Sequence, residues 1–200
     1  DRTSPEFRRY LELYVRAPLL ELGAQADAAR WRLHPEPTVS YIIDRNINYT
    51  NVCVADCKFC AFYRRPKHLE GYVLSFEEIG RKIEELKALG GVQILMQGGH
   101  NPYIPFPWYL DLLRYIKRHH PIHIHAFSPS EVDFFAGRFG MSIETVLREL
   151  MAAGLDSIPG GGAEILDDEV RRRISRLKCT TEEWLAVHRT AHQLGMRTTA

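Results

Sequence analysis

From Ser75 onward the chain repeats one local order: a side-chain cap, an amphipathic stretch, a glycine and a short apolar run. "SFEEIGRKIEELKALGG" opens with Ser75 and Glu78 at capping-box spacing. Phe76, Ile79, Ile83 and Leu86 form one apolar stripe, and Gly90 ends the helix. "VQILMQGG" then reads as a buried strand, a helix over Pro107 to His119 follows, and "IHIHAFSPSE" is the next short strand. "SIETVLRELMAAG" is a helix from Ser142 to Gly154, before the strand and loop of "LDSIPGGGAE". Thr180 and Glu183 cap "TTEEWLAVHRTAHQLG", whose stripe is Trp184, Val187, Ala191 and Leu194, and "MRTTA" begins another strand. Such alternation predicts parallel strands joined by right-handed crossovers.

Upstream, residues 1–38 read as helix, break at Pro18, helix, and residues 39–200 as the α/β core, opened by one or two strands in "VSYIIDRNINYTNVC". The chain begins at Asp1 without a methionine and stops in mid-strand, so a fragment of a longer protein is expected. The unusual sequences all follow strands: the cysteine loop, "QGGHNP", "FSPSE" and "PGGGAE". In a parallel barrel such loops collect on one face around a ligand, whereas an open sheet spreads them except near its switch point. The expected fold class is therefore an α/β (βα) barrel, TIM-barrel-like, represented by its N-terminal part.

Composition narrows the setting. With 45% hydrophobic residues in 200, a core is affordable; a net charge of +1 carries no basic excess to suggest nucleic acid. No apolar run is long enough for a membrane span and no signal peptide opens the chain. Three of four cysteines crowd into "CVADCKFC", which is not a secreted disulfide pattern, so a cytoplasmic setting with a metal is expected.

Cys53, Cys57 and Cys60 present three thiolates to one centre. A 4Fe–4S cube has four irons; four cysteines make an electron carrier, while three leave one iron open. An amine and a carboxylate on one small molecule could chelate that iron, and S-adenosylmethionine (SAM) has both. Zinc would need a fourth ligand, from Cys179 or a histidine. Cys179 as fourth ligand would instead make an iron–sulfur electron-transfer protein; at a helix start, it reads more simply as an ordinary thiol.

The C-x3-C-x2-C spacing, with aromatic Phe59 before the last cysteine, resembles the radical SAM enzymes. That resemblance implies a 4Fe–4S cluster and SAM as cofactors. It implies that Gly98 and Gly99 of "MQGGH" meet the methionine amino group, although His100 stands where an acidic residue is usual; a sharp turn after the strand is the plainer use of both glycines. It assigns Glu164 to the SAM ribose, with Ser128 and Glu131 as further candidates, and Arg171 to the methionine carboxylate. A solvated helix face is the ordinary fate of the run Arg171 to Arg173. Period-two alternation puts His123 and His125 on one strand face, Ile122 and Ile124 on the other. One satisfied polar face is the plain reading; His125 is also a candidate for substrate contact. His100, His125 and Tyr63 are the candidates for a catalytic base.

Within that superfamily, "YIIDRNINYTNVCVADCKFCAFYRRP", "MQGGHNP", "HIHAFSP", "GLDSIPGGGAEIL" and "RTAHQLGMRTTA" resemble the cyclic dehypoxanthine futalosine synthases of menaquinone biosynthesis. Sister enzymes, the aminofutalosine and deazaflavin (F420 chromophore) synthases, share much of this but tend to "GGLHP"; His100-Asn101-Pro102 makes the distinction. The resemblance implies a 5′-deoxyadenosyl radical that takes the ribose 4′ hydrogen of dehypoxanthine futalosine, after which the carbon radical closes on the benzoate ring. It also implies an electron donor such as flavodoxin or ferredoxin.

Overall fold

The computed structural model describes residues 3–199; Asp1, Arg2 and Ala200, the outermost positions of the expected segments, lie outside them. The chain divides into two compact units, Asp1–Tyr41 and Ile42–Ala200. In the first, α1 (Pro5–Arg16) starts from a Ser4 cap and α2 (Leu19–Leu33) follows the break at Pro18. Neither helix buries a residue. Arg30 closes the second end by donating to the carbonyls of His34, Glu36 and Thr38.

Among its described residues the second unit carries five strands: β1 (Asp44–Ile47), β2 (Gln93–Met96), β3 (His123–Ala126), β4 (Ser157–Ile158) and β5 (Arg197–Thr198). All neighbours are parallel and the spatial order is the chain order, β1-β2-β3-β4-β5. A doubly wound sheet reverses direction at a switch point; this one never does, which is the order an arc of a (βα) barrel requires. The "VSYIIDRNINYTNVC" stretch yields one strand, and Tyr41 and Ile42 before it are exposed.

Register sorts the two sheet faces. Ile47, Ile94, Met96, Ile124 and Ala126 fall on one face and are buried. Against it pack α3 (Phe76–Ala88) through Ile79, Ile83 and Leu86, and α4 (Phe106–His119) through Leu112, Leu113 and Ile116. The other face carries Asn46, Gln93, Leu95, His123 and His125. Both histidine rings reach the Ser157 hydroxyl at 2.7 Å, so the expected shared face is present.

Ser75–Glu78 and Thr180–Glu183 form complete capping boxes on α3 and on α8 (Thr181–Gln193); Gly154, in the left-handed region, ends α6 (Ile143–Ala153). Two helices lie where a strand and loops were read. "FSPSE" does not stay a loop: Pro129 begins α5 (Pro129–Phe139), with Ser128 and Glu131 as its capping box. Asp167 caps α7 (Asp168–Ile174). The chain enters α5 through Phe127, whose φ of 61° is strained for a bulky side chain; full burial of that ring offsets the strain. No helix among the described residues is long and apolar enough to cross a membrane.

The core beside Tyr49 contains an unsatisfied group. Tyr109 is fully buried and its hydroxyl has no hydrogen-bond partner among the described residues. An unpaired buried hydroxyl costs about 1–3 kcal/mol in lost hydration. Tyr109→Phe is therefore expected to leave stability unchanged or raise it by about 1 kcal/mol in urea unfolding; a loss of that size would mean the hydroxyl is paired.

Candidate functional site

The ends of β1 to β4 open on one cavity of about 240 Å³. Its wall takes Thr50, Cys53, Cys57 and Cys60 after β1, Gly98 to His100 after β2, Ser128, Ser130 and Glu131 after β3, and Gly161, Gly162 and Glu164 after β4. The sequence brings these loops together through Glu131. This carboxylate is buried; one oxygen accepts the Tyr49 hydroxyl (2.7 Å) and the Gly98 N–H (3.0 Å). Its other oxygen accepts the N–H (2.9 Å) and hydroxyl (2.8 Å) of Ser128. Burial pushes the carboxyl up in pKa, and the four donors oppose that shift. With its acceptor positions taken, Glu131 ties three strand ends together rather than presenting lone pairs to a ligand, and Ser128 is spent in the same way.

Gly98 and Gly99 lack side chains because of close packing, not turn geometry. A Cβ on Gly98 would stand 2.4 Å from the Tyr49 ring, and one on Gly99 would stand 2.6 Å from the Val52 carbonyl and 2.7 Å from Cys53 Cβ. The Gly99 carbonyl already accepts the Asn101 N–H. Gly98 offers the carbonyl left for a ligand on this loop.

The cysteine loop is fastened on three sides: Cys53 N–H to the Arg64 carbonyl, Val54 N–H to the His100 carbonyl, and Lys58 N–H to the Ile174 carbonyl. Cys53 Sγ accepts N–H groups from Ala55 (3.4 Å) and His100 (3.3 Å), which suits a sulfur carrying negative charge. All three thiols are free; burial raises the pKa of Cys53, and that of Cys57 to about 11. Among the described residues no three His, Cys, Asp or Glu side chains converge on a single ion. Three thiols on one cavity wall that do not close on one ion fit a polynuclear cluster, whose corners stand farther apart than the ligands of a zinc. Cys179 does not line this cavity. It is buried elsewhere, with the Arg171 guanidinium 3.8 Å from its sulfur.

Other candidates separate clearly. Arg171 does not line the cavity and its guanidinium is fully engaged with carbonyls of Gly162, Ala163, Ile165 and Cys179, at 2.6–3.2 Å. It is a buried strut under the glycine loop, while Arg172 and Arg173 point to solvent. Glu164 lines the cavity and accepts from Lys178 Nζ at 2.7 Å; that ammonium also lies 5.4 Å from the ring of Phe59, itself on the cavity wall. Lys178 had no sequence signal: it meets Glu164 only because α7 doubles the chain back. Ser130, likewise unread, holds His100 Nε2 at 3.0 Å.

Of the base candidates, His100 and Tyr63 line the cavity and His125 does not. His100 is buried, stacked on Phe134 with ring centroids 4.7 Å apart, and desolvation lowers its pKa to about 4, so it sits neutral. Both His125 nitrogens are engaged, by Ser157 and Thr199. The Tyr63 hydroxyl is bonded to Asp56, whose carboxylate also pairs with Arg65.

Comparison with known proteins gives the family and the fold. Residues 47–200 match the radical SAM superfamily. The chain is 51% identical over 191 residues to a cyclic dehypoxanthine futalosine synthase of Halalkalibacterium halodurans, covering 95% of the chain and 52% of that protein. It is 45% identical over 163 residues to an FO synthase of Streptomyces avermitilis, covering 81% of the chain and 19% of that protein. The fold is shared with a crystal structure of methylornithine synthase (TM-score 0.62, 20% identity, 78% of this chain and 43% of that one). The chain thus spans about half the length of the futalosine synthases it matches.

Two outcomes follow from this packing. Glu131→Gln turns an amide donor toward N–H and O–H donors and is expected to cost about 2–4 kcal/mol in chemical unfolding; a cost under about 0.5 kcal/mol would show that the carboxylate is not the tie. Arg171→Lys cannot span four carbonyls. Amide exchange at residues 161–166 is expected to accelerate roughly tenfold while β2 stays protected.

Proposed function

The chain belongs to the radical SAM superfamily, and from that premise we propose that its cavity holds a 4Fe–4S cluster on Cys53, Cys57 and Cys60 with SAM beside it. The reaction proposed is ring closure of dehypoxanthine futalosine to its cyclic form. When bound, the two groups supply one-electron cleavage of a sulfonium and a carbon radical able to take an unactivated ribose hydrogen. The observation that carries the reading is three free thiols on the wall of a cavity bounded by four post-strand loops, with Cys179 outside it.

The chain's own residues bind, orient and exclude water. In this reading the Gly98 carbonyl accepts an ammonium. The Glu164 carboxylate accepts ribose hydroxyls, with Lys178 holding one of its oxygens. Arg171 fixes the loop that carries Glu164, in place of the carboxylate contact expected of it. Phe59 offers an apolar face. His100, neutral and buried, holds Ser130 through its ring and gives its backbone N–H to Cys53. Tyr63, through Asp56, offers a path for a proton from the cavity to solvent.

The substrate choice rests on the likeness to the futalosine synthase and on His100-Asn101-Pro102, whose Asn101 bonds Thr50 of the cysteine loop at 3.0 Å. The likeness to FO synthase supports a second reading, a deazaflavin-type sister enzyme. Anaerobic, reconstituted protein with dithionite, SAM and dehypoxanthine futalosine is expected to yield 5′-deoxyadenosine and cyclised product, and Cys57→Ala neither. Turnover of the deazaflavin precursors alone would select the sister reading; redox cycling without SAM cleavage would overturn the enzyme.

A further inference from the structure

We propose that the carboxamides of Gln97 and Asn48 hold two neighbouring sugar hydroxyls of the substrate. Both residues line the cavity, one step beyond the paired strand ends Ile47 and Met96. Their backbones are fixed side by side: the Gln97 N–H donates to the Ile47 carbonyl (3.2 Å), and Asn48 Nδ2 donates to the Gln97 carbonyl (3.1 Å). The Gln97 carboxamide and Asn48 Oδ1 make no hydrogen bond among the described residues. The other hydroxyl and amide side chains of the cavity are engaged within the protein. Thr50 bonds the Tyr72 carbonyl, Asn51 the Glu70 carbonyl, Ser128 Glu131, Ser130 His100, and Tyr63 Asp56.

Gly161 keeps room for the Gln97 amide. Its backbone is not in the left-handed region, so its φ does not demand glycine. A Cβ there would nevertheless stand 2.3 Å from Gln97 Nε2. The amide thus reaches from the end of β2 to the loop after β4, where Trp184 Nε1 holds the Gly161 carbonyl (3.2 Å), and gains no protein partner on arrival. A carboxamide supplies a donor and an acceptor, and the neighbouring Oδ1 supplies a second acceptor. Two adjacent hydroxyls match that set; a carboxylate, which only accepts, meets two oxygens and does not. The inference rests on the proposed function, in which the target hydrogen lies on a sugar. Holding that sugar by its hydroxyls fixes the C–H, and a small displacement there is costly in rate. SAM carries the same pair of hydroxyls. Glu164 faces them in the proposed function, so Gln97 and Asn48 are assigned to the substrate.

Affinity is read without turnover, on anaerobic, reconstituted protein with SAM and no reductant. Dehypoxanthine futalosine, and an analogue lacking its two neighbouring sugar hydroxyls, are titrated by calorimetry into wild type, Gln97→Ala and Gly161→Ala. Wild type is expected to bind the analogue at least about tenfold more weakly than the substrate. Gln97→Ala is expected to bind the substrate about tenfold more weakly than wild type does, and to tell the two compounds apart by about threefold or less. Gly161→Ala, whose methyl displaces the amide without removing it, is expected to lose the same discrimination. SAM affinity is expected to be equal in all three proteins. Unchanged circular dichroism and iron content show that a variant folds, and should one fail, the other decides. Equal binding of both compounds by wild type, undiminished discrimination in a folded variant, or a loss confined to SAM overturns the proposal. Absence of any wild-type affinity for dehypoxanthine futalosine is a different result: it removes the substrate of the proposed function, and the hydroxyl assignment with it.

Discussion

Glu131 is buried, and the four donors that surround it come from three parts of the sheet. Tyr49 follows β1, Gly98 follows β2 and Ser128 follows β3. Burying a carboxyl group without partners is costly, so the donors must stay in place together or its polar atoms are left unsatisfied. This couples the ends of three neighbouring strands through one side chain. Gly98 is a consequence: once Tyr49 is drawn down to Glu131, no side chain fits between its ring and the following loop, while Gly99 is held bare by Val52 and Cys53.

The cavity that results is asymmetric. On the inner side Gly98, Glu164 and Lys178 surround a space suited to a polar ligand. The thiols share that wall, and two of them, Cys57 and Cys60, also line a second cavity with Lys58, Arg172, Arg173 and Arg176. Arg171 does for the β4 loop what Glu131 does for the others. It is a buried guanidinium satisfied by carbonyls, as Glu131 is a buried carboxyl group satisfied by donors. In both cases a side chain that looked available to a ligand is consumed in shaping the site.

That substitution of role marks the limit of what the sequence reveals. The alternating order and the capping boxes at Ser75 and Thr180 are visible because helix caps and apolar stripes are local signals, and the thiol spacing is local too. Ser128-Pro-Ser-Glu131 carries the same capping pattern, with Pro129 at the first helical position and Val132 and Phe135 behind it. Its polar atoms drew attention to a ligand, and α5 was missed. Which of Arg171, Arg172 and Arg173 turns inward depends on the phase of a seven-residue helix, which a charge run does not disclose. Lys178 and Glu164 are 14 residues apart and meet only through the return of α7. The pairing of His123 and His125 on one face was legible from period two; their engagement by Ser157 was not, because it crosses to another strand.

The central claim is that three thiolates hold a cluster and leave one iron to a small ligand. Electron–nuclear double resonance on the reduced, reconstituted protein with SAM labelled at the methionine nitrogen tests it most directly. The account predicts a hyperfine coupling from that nitrogen to the cluster, in wild type and in Cys179→Ala alike. No coupling in the wild type, with Cys179→Ala changing the cluster's resonance, would contradict it: the fourth position would then belong to the protein.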